Sequence, residues 1–241
     1  MNKILILFFL SSLFFLFNNY FAKLLNLYDI PDKNRKLHKT KTPLTGGLLI
    51  FLGFFLYIFL SNILLKSIFF EPIILDTNFF SFYIGFTLFF LIGILDDKLD
   101  LNANLKILFF VILILFLLIV DKDLHIKVIK LGFLQNNFSI GSYSYIWTLV
   151  CFLLFINAIN MFDGVNGQTG LYFLICMIYI LISNSNLNYI SLIFIFPLII
   201  FLFLNLTNKC FIGNSGTYSL SFVVAYLFIK SYNLETIYLA D

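Results

Sequence analysis

Three carboxylates follow directly on an apolar run, at Asp96, Asp97 and Asp100. Acidic side chains this close to lipid are costly to place, and they usually mark a function. On a helix, Asp96 and Asp100 would share one face. Because Mg²⁺ takes oxygen ligands and is commonly shared between carboxylates and substrate phosphates, the cluster predicts metal-assisted phosphate chemistry. The structural alternative is a solvated loop with an aspartate at a helix cap.

A second polar segment, 157–167, holds one carboxylate among amides and glycines. Asn160 and Asp163 lie three residues apart, so on a helix they can converge on one ligand. Gly164 and Gly167 permit a close approach of the backbone to that ligand. A helix C-cap followed by a turn would use the same residue types, and this explanation stays open.

Two further segments have features that bind phosphate. Residues 205–217 contain Gly213 and Gly216 beside Ser and Thr at an expected helix start, where backbone N–H groups favour anions. Residues 29–47 combine a basic cluster with a Gly-Gly turn beside another helix start. A simple N-cap and an ordinary positively charged loop are the alternatives for these two segments.

The composition determines what kind of scaffold must hold these segments. Of the 241 residues, 61% are hydrophobic and 11% are charged. Soluble domains carry about 25% charged residues, so a soluble enzyme is excluded. The 34 Phe and 13 Tyr exclude a disordered chain. A net charge of +3 gives no reason to expect a nucleic-acid partner. Three separated cysteines without a Cys-x-x-Cys pair predict buried thiols.

A membrane-spanning helix needs about 20 mostly apolar residues, and the chain offers about eight such runs. They are 4–22, 46–65, 79–95, 105–120, 143–159, 168–183, 189–206 and 217–231. The first run lacks a small-x-small cleavage site, which predicts a retained helix instead of a signal peptide. The predicted fold class is therefore all-α: one polytopic integral membrane helix bundle over residues 1–241.

The basic residues predict the orientation of this bundle. The loop after the first run holds Lys23, Lys33, Arg35, Lys36, Lys39 and Lys41, and the positive-inside rule assigns it to the cytoplasm. Counting spans from there puts all four polar segments on the cytoplasmic face, so they are expected to meet. Segment 121–142 falls outside, and its alternating polar and apolar residues 125–130 predict a short strand or hairpin.

The ordered set of motifs resembles the polyprenyl-phosphate N-acetylhexosamine-1-phosphate transferases. The matching pieces are PLTGG at 43–47, LDDKLD at 95–100, NAINMFDG at 157–164 and FIGNSG at 211–216. The resemblance implies transfer of an N-acetylhexosamine-1-phosphate, of the GlcNAc type, from a UDP-sugar to undecaprenyl phosphate. UMP is released and Mg²⁺ is the cofactor. In that family this reaction initiates the synthesis of cell-envelope polysaccharides.

The resemblance also implies the setting and the partners. It predicts a multi-pass protein of the inner (plasma) membrane with a cytoplasmic active site, in a family that usually has ten or eleven helices. The implied partners are undecaprenyl phosphate, the UDP-sugar and membrane lipid, with a homodimer left open.

Roles for individual residues follow from the resemblance alone. Asp96 and Asp97 would form the acid pair, one of which activates the lipid phosphate as a base or, in a two-step mechanism, as a nucleophile. Asp163 is the third implied catalytic residue. The implied substrate-binding residues are His38, Lys39, Asn157, Asn160, Asn205 and Phe211, and the implied Mg²⁺ ligands are Asn160, Asp163 and Asn214.

The chain departs from the family pattern in two ways. Asn214 stands where the family usually has an aspartate that binds Mg²⁺, which predicts weaker metal affinity because a neutral amide loses the charge attraction. The late cytoplasmic loop with a His-x-His-His-like cluster has no counterpart. We therefore expect a transferase domain that lacks the C-terminal helices and this His-containing loop.

Two other functions compete with a transferase of this type. An intramembrane prenyltransferase could hold a prenyl diphosphate through Mg²⁺ at the Asp96-Asp97-x-x-Asp100 string, but it would need a second acidic cluster. A transporter or an inactive truncated scaffold is the non-enzymatic alternative. Transporters usually carry polar residues near the middle of the membrane, whereas here they lie at the ends of the predicted spans.

Overall fold

The computed structural model of the chain describes residue 9 and residues 12–31, 40–59, 77–130, 138–183 and 187–233. The α-helices bounded within these ranges are α1 (Asn18–Leu25), α2 (Gly46–Phe59), α3 (Thr77–Leu99), α4 (Ala103–Val120), α5 (Ser144–Phe162), α6 (Gln168–Ile182), α7 (Asn188–Leu206) and α8 (Gly213–Asn233). Each predicted span from 46–65 onward corresponds to one of them, whereas part of 4–22 and residues 60–65 of the second span lie outside the described residues.

The helix lengths fit a bilayer. Four of the described helices, α3, α4, α5 and α7, are long and apolar enough to cross a membrane, and α2 and α6 are apolar but shorter. The predicted all-α, polytopic membrane bundle is confirmed. The cysteines are free, with Cys176 and Cys210 buried and Cys151 partly buried, as expected for thiols in apolar helices.

Helix α8 is the centre of the bundle. It packs against α2, α3, α5 and α6, and most of its side chains are buried on all sides. It is also rich in small polar residues, among them the buried Thr217, Ser219 and Ser221. A helix surrounded by protein does not have to present an apolar surface to lipid, which explains why α8 is less apolar than its neighbours.

The most extensive packing in the bundle joins α3 and α8, which run antiparallel. Phe89 stacks on Phe222 with ring centroids 5.1 Å apart, and Phe82 meets Tyr226 edge-on at 5.2 Å. Gly85 leaves room for the Phe222 ring, because a Cβ there would come within 2.2 Å of it. This aromatic core fixes the two helices along their length and so determines which residues meet at each end.

Two short strand pairs order the connecting segments. β1 (Tyr28–Asp29) pairs antiparallel with β2 (Thr42–Pro43), directly before α2. β3 (Val128–Ile129) pairs antiparallel with β4 (Phe138–Ser139) between α4 and α5, which confirms the hairpin predicted from the alternation at 125–130.

The two ends of the α3–α8 pair carry different carboxylates, and each end takes its name from one of them. At one end, Asp97 of α3 contacts the first residues of α8, and we call this the Asp97 end. At the other end, Asp121, which follows α4, contacts Tyr226 and Lys230 near the end of α8, and we call this the Asp121 end.

Candidate functional site

The predicted polar segments meet through the loop that leads into α8. The Gly46 and Gly47 N–H groups donate to the carbonyls of Phe211 and Ile212, both at 2.9 Å. The Gly167 N–H donates to the Asn205 Oδ1 at 2.6 Å. Since Asp97 also binds the start of α8, the segment 205–216 touches the described parts of all three other segments. The convergence predicted by counting spans is therefore present.

Close backbone contacts hold this junction together. A Cβ on Gly47 would lie 2.3 Å from the Gly216 Cα, and one on Gly93 would lie 2.3 Å from the Ser215 Cα. These glycines let α2 and α3 approach the first turn of α8 with backbone against backbone. The position of the α8 N-terminus is therefore fixed by two other helices.

Asp97 caps the N-terminus of α8 from the neighbouring helix. Its Oδ1 accepts the Asn214 N–H at 2.7 Å, and its Oδ2 accepts the Ser215 N–H at 3.0 Å. Gly213 has a φ of +70°, and a Cβ there would come within 2.9 Å of the Asp97 carboxylate. Unpaired N–H groups and the helix dipole favour a negative charge at this point. Within the described residues, Asp97 has no lysine or arginine partner.

The neighbouring Asp96 has a different environment. It is buried and accepts hydrogen bonds from the Tyr218 hydroxyl at 2.6 Å and the Leu101 N–H at 2.9 Å. The Lys106 Nζ lies 2.9 Å from its Oδ2. The two aspartates therefore differ in availability: Asp96 joins α3, α4 and α8 and pairs with a lysine, whereas Asp97 accepts the N–H groups of Asn214 and Ser215 and has no cationic partner among the described residues.

Lys106 and Tyr218 were missed by the sequence analysis. The signal for Lys106 was available, because it is the one charged residue in the apolar sequence of α4, and a charge inside a span needs a partner. Nothing in the sequence pointed to Tyr218. The expectation that Asp96 and Asp100 share a helix face is wrong, because α3 ends at Leu99 and Asp100 is exposed with a φ of +48°.

Asp163 caps the C-terminal end of α5. Its Oδ1 accepts the Thr169 hydroxyl at 2.8 Å. The residue as a whole is exposed, but protein surrounds its carboxyl group closely enough that desolvation raises the pKa to about 6, while the bond from Thr169 opposes that rise. Among the described residues Asp163 has no cationic partner. It resembles Asp97 in this respect, and both carboxylates keep lone pairs that a substrate or metal could use.

The candidate asparagines differ in burial and in how far their side-chain amides are already hydrogen-bonded. Asn157 donates to the Leu153 carbonyl at 2.7 Å within α5, and Asn160, one turn further on, is partly exposed beside Asp163. Asn205 is buried and both ends of its amide are bonded to the backbone. Asn214 stands in the first turn of α8 with a partly exposed side chain. Only some of these amides are therefore free to meet a ligand.

The remaining candidates belong to the loops. Phe211 is partly buried, and its backbone pairs with Pro43 and Gly46. His38 and Lys39 lie outside the described residues, so their predicted phosphate contacts stay predictions.

The described residues contain no group of three or more His, Cys, Asp or Glu side chains that could hold a metal on their own. Mg²⁺ does not require such a group, since it is usually held by one or two carboxylates together with waters and substrate phosphates. Asp163, Asn160 and Asn214 supply oxygen atoms of the type that Mg²⁺ prefers. The donor chemistry therefore fits a Mg²⁺ ion shared with a phosphate substrate.

Residues 79–232, from the third predicted span to the end of α8, match the sequence model of glycosyl transferase family 4. The chain belongs to this family. The match covers α3 to α8, which include Asp97, Asp163 and the α8 N-terminus. The resemblance seen in the motifs is thereby confirmed at the level of the family.

Curated relatives carry more specific names. The chain is 29% identical over 200 residues to a probable undecaprenyl-phosphate N-acetylglucosaminyl 1-phosphate transferase of Bacillus subtilis, covering 80% of the chain and 52% of the relative. It is 28% identical over 204 residues to a phospho-N-acetylmuramoyl-pentapeptide-transferase of Petrotoga mobilis, covering 79% and 61%. It is 24% identical over 237 residues to an undecaprenyl-phosphate alpha-N-acetylglucosaminyl 1-phosphate transferase of Escherichia coli K12, covering 93% and 60%. The chain thus spans between half and two thirds of these relatives' lengths.

Proposed function

We propose that this chain transfers an N-acetylhexosamine-1-phosphate from a UDP-sugar to undecaprenyl phosphate and releases UMP, as the initiating step of a cell-envelope polysaccharide. The observation that carries the proposal is Asp97, a carboxylate without a cationic partner in the described structure, held at the N-terminus of the central helix. Membership of glycosyl transferase family 4 and the names of the relatives support this choice of reaction.

The reaction exchanges one phosphorus–oxygen bond for another. An oxygen of the lipid phosphate attacks the phosphorus that bears the sugar, and the bond from this phosphorus to the bridging oxygen breaks. UMP leaves with that electron pair. The amino sugar remains attached to its phosphate throughout, so the product is a lipid-linked pyrophosphate sugar.

Asp97 is the residue we assign to activation of the acceptor. A carboxylate that the described residues leave without a cationic partner can accept a proton from the lipid phosphate or attack phosphorus itself, and both mechanisms remain open. Asp96 is assigned a positioning role, because the ammonium of Lys106 and the hydroxyl of Tyr218 already occupy its carboxylate. This divides the acid pair that the motif suggested into one reacting and one supporting residue.

We further propose that Asp163, Asn160 and Asn214 hold Mg²⁺ together with the substrate phosphates. When bound, the ion neutralises charge on the pyrophosphate and the departing UMP. Asn214 offers a neutral amide, so we expect Asn214→Asp to lower the Mg²⁺ concentration that gives half-maximal UMP release. An unchanged midpoint would remove Asn214 from the ligand set.

The proposed orientation places the Asp97 end in the cytoplasm, where UDP-sugars are present. The support is the basic loop 23–41, which the positive-inside rule assigns to that side. The protein would then be a multi-pass protein of the plasma membrane. A homodimer stays a prediction.

The position of Asp100 counts against the prenyltransferase alternative. A binding string of the type Asp-Asp-x-x-Asp needs its third acid beside the first two, but Asp100 has left the helix and is exposed. Asp96 is also committed to Lys106. In the described chain these carboxylates do not form one binding cluster.

The test is UMP release from membranes that contain the 241-residue chain, supplied with undecaprenyl phosphate, UDP-GlcNAc and Mg²⁺. We expect release by the wild type, release lowered at least about a hundredfold in Asp97→Asn, and normal release by Asp123→Asn, a matched change at an exposed position of the Asp121 end. Membranes holding the folded chain without UMP release would contradict the proposal. Release of pyrophosphate from a prenyl diphosphate would establish the prenyltransferase instead.

A further inference from the structure

Asn205 lies in the last turn of α7 and is 7% exposed. Its Oδ1 accepts the Gly167 N–H at 2.6 Å, and its Nδ2 donates to the Cys210 carbonyl at 3.0 Å. One side-chain amide therefore joins the backbones of two separate loops. A buried amide bonded to backbone at both ends has little left to offer a ligand.

The first of these loops carries Asp163. Gly167 is the N-cap of α6 with a φ of +82°, and Thr169, two residues later, donates to the Asp163 carboxylate. A second contact supports the same loop, since the Asn166 Nδ2 donates to the Asn208 Oδ1 at 2.6 Å on the exposed rim. The bond from Gly167 to Asn205 therefore fixes the turn that presents Asp163.

The second loop leads to Asp97. Cys210 is followed by Phe211, whose N–H donates to the Pro43 carbonyl at 2.8 Å and whose carbonyl accepts from Gly46. Three residues further on, the Asn214 N–H holds the Asp97 carboxylate. Asn205 thus connects the Asp163 turn to the segment that determines the position of Asp97.

We propose that Asn205 is a positioning residue that couples the Asp163 turn to the N-terminus of α8, and that it does not bind the substrate. The inference rests on the proposed function, because both carboxylates must act on the same phosphates. Without this amide, each loop keeps its own side chains but loses its fixed placement relative to the other. The cost of losing such placement appears in turnover more than in binding.

Two substitutions of Asn205 distinguish its bond to the Gly167 N–H from its bond to the Cys210 carbonyl. Asn205→Asp keeps the acceptor for Gly167 and places an oxygen against the Cys210 carbonyl, so it breaks only the second bond. Asn205→Leu removes both bonds at a similar side-chain volume. Asn208→Asp is the matched control, because it keeps the acceptor that Asn166 uses and leaves the junction intact.

The primary measurement is hydrogen–deuterium exchange of the full chain in detergent, followed in peptides covering 163–170 and 211–217. Losing a buried hydrogen bond of this kind corresponds to about a tenfold rise in local opening. We expect Asn205→Leu to raise exchange about tenfold in both peptides, and Asn205→Asp to raise it mainly in 211–217. Asn208→Asp should change neither peptide.

The kinetic measurement asks whether the role is positioning or binding. We expect both Asn205 variants to lower kcat at least about tenfold, with the KM for the UDP-sugar within about threefold of wild type. Unchanged exchange in both peptides, or a rise in KM without a loss of kcat, would overturn the proposal. If the wild type does not turn over, the proposed function fails, while the exchange measurement still tests the coupling. If Asn205→Leu does not fold, the exchange and the kinetic measurements are both made on Asn205→Asp.

Discussion

The two ends of the α3–α8 pair hold buried carboxylates in similar surroundings. At the Asp121 end, Asp121 accepts hydrogen bonds from Lys230 at 2.7 Å, Ser81 at 2.7 Å and Tyr226 at 3.1 Å. At the Asp97 end, Asp96 likewise binds one lysine, Lys106 of α4, and one tyrosine, Tyr218 of α8. The difference is that the Asp97 end has a further carboxylate, Asp97, for which the described structure supplies no cation.

We expect this difference to separate carboxylates with a structural role from those that a substrate or metal can use. Burial alone would raise the pKa of Asp121, but the hydrogen bonds from Lys230 and Ser81 outweigh it and hold that pKa below its usual value. The charge of such a carboxylate is already balanced by protein groups, so it does not need a substrate or a metal as a further partner. Asp97 and Asp163 have no such partner in the described residues, so a cation or an acidic proton of the substrate would complete their surroundings.

The largest expected effect is on turnover at the Asp97 end. Asp97→Asn and Asp163→Asn should each lower UMP release by about 10²- to 10⁴-fold, the usual contribution of a positioned acid or base. The thermal unfolding temperature of Asp97→Asn in detergent should fall modestly, because the amide oxygen still accepts one of the two α8 N–H groups but the amide nitrogen cannot accept the other. Normal turnover in both variants would contradict the claim that carboxylates without a cationic partner act in the reaction.

The next effect is on stability at the Asp121 end. Asp121→Asn leaves the partly buried Lys230 without its counter-charge and should lower the free energy of unfolding by about 3 kcal/mol, the lower end of the range for breaking a buried pair. Asp121→Asn combined with Lys230→Met should recover part of that loss. Turnover per folded molecule should stay close to wild type.

The same pair gives a pH dependence with a defined sign. The folded pKa of Asp121 lies below the unfolded value of about 3.9, so the ionised carboxylate stabilises the fold above that pH. The contribution is lost as the pH falls through the folded pKa. The gap in melting temperature between wild type and Asp121→Asn should therefore narrow below about pH 4; a gap that is constant with pH would contradict the role of the charge.

A matched pair of tyrosine substitutions compares the two ends directly. Tyr218→Phe removes the donor to Asp96, and Tyr226→Phe removes a donor to Asp121. Each should lower the free energy of unfolding by about 1.5 to 3 kcal/mol, as expected for a hydrogen bond to a charged group. Only Tyr218→Phe should also lower turnover, because Asp96 adjoins Asp97. Tyr143→Phe, at an exposed tyrosine, is the control.

The smallest effect concerns the pKa of Asp163. The Thr169 hydroxyl favours the ionised carboxylate, so Thr169→Val should raise the pKa of Asp163 from about 6 by a further half to one unit, roughly. Infrared difference spectra against Asp163→Asn, titrated without Mg²⁺, would measure this shift. Thr207→Val, at an exposed threonine, should leave the titration unchanged. A pKa that falls in Thr169→Val would contradict the assigned hydrogen bond.

Sequence analysis predicted the helices because hydropathy and length determine where a chain can cross a bilayer. It also predicted that the four polar segments, 29–47, 93–100, 157–167 and 205–217, share one face, because counting spans from one basic loop determines which ends lie on the same side. It did not predict that α8 is the central helix, since a run of Ser, Thr and Tyr looks like a weak span until its neighbours are known.

The individual roles at the site were harder to predict. The sequence treats Asp96 and Asp97 as equals, and only the positions of Lys106 and Tyr218 on neighbouring helices distinguish them. Asp100 left the predicted helix face because the chain turns one residue earlier. The same limit applies to Asn205, whose two backbone partners come from loops that only the folded chain brings together.

The most direct test compares Asp97→Asn with Asp121→Asn in the same membranes, with UMP release divided by the amount of folded chain. The substitution is chemically identical at the two ends of one helix pair. We predict that Asp97→Asn stays folded and loses UMP release at least about a hundredfold, while Asp121→Asn melts at a lower temperature and keeps its turnover. Wild-type release by Asp97→Asn, or loss of turnover in folded Asp121→Asn, would contradict the account.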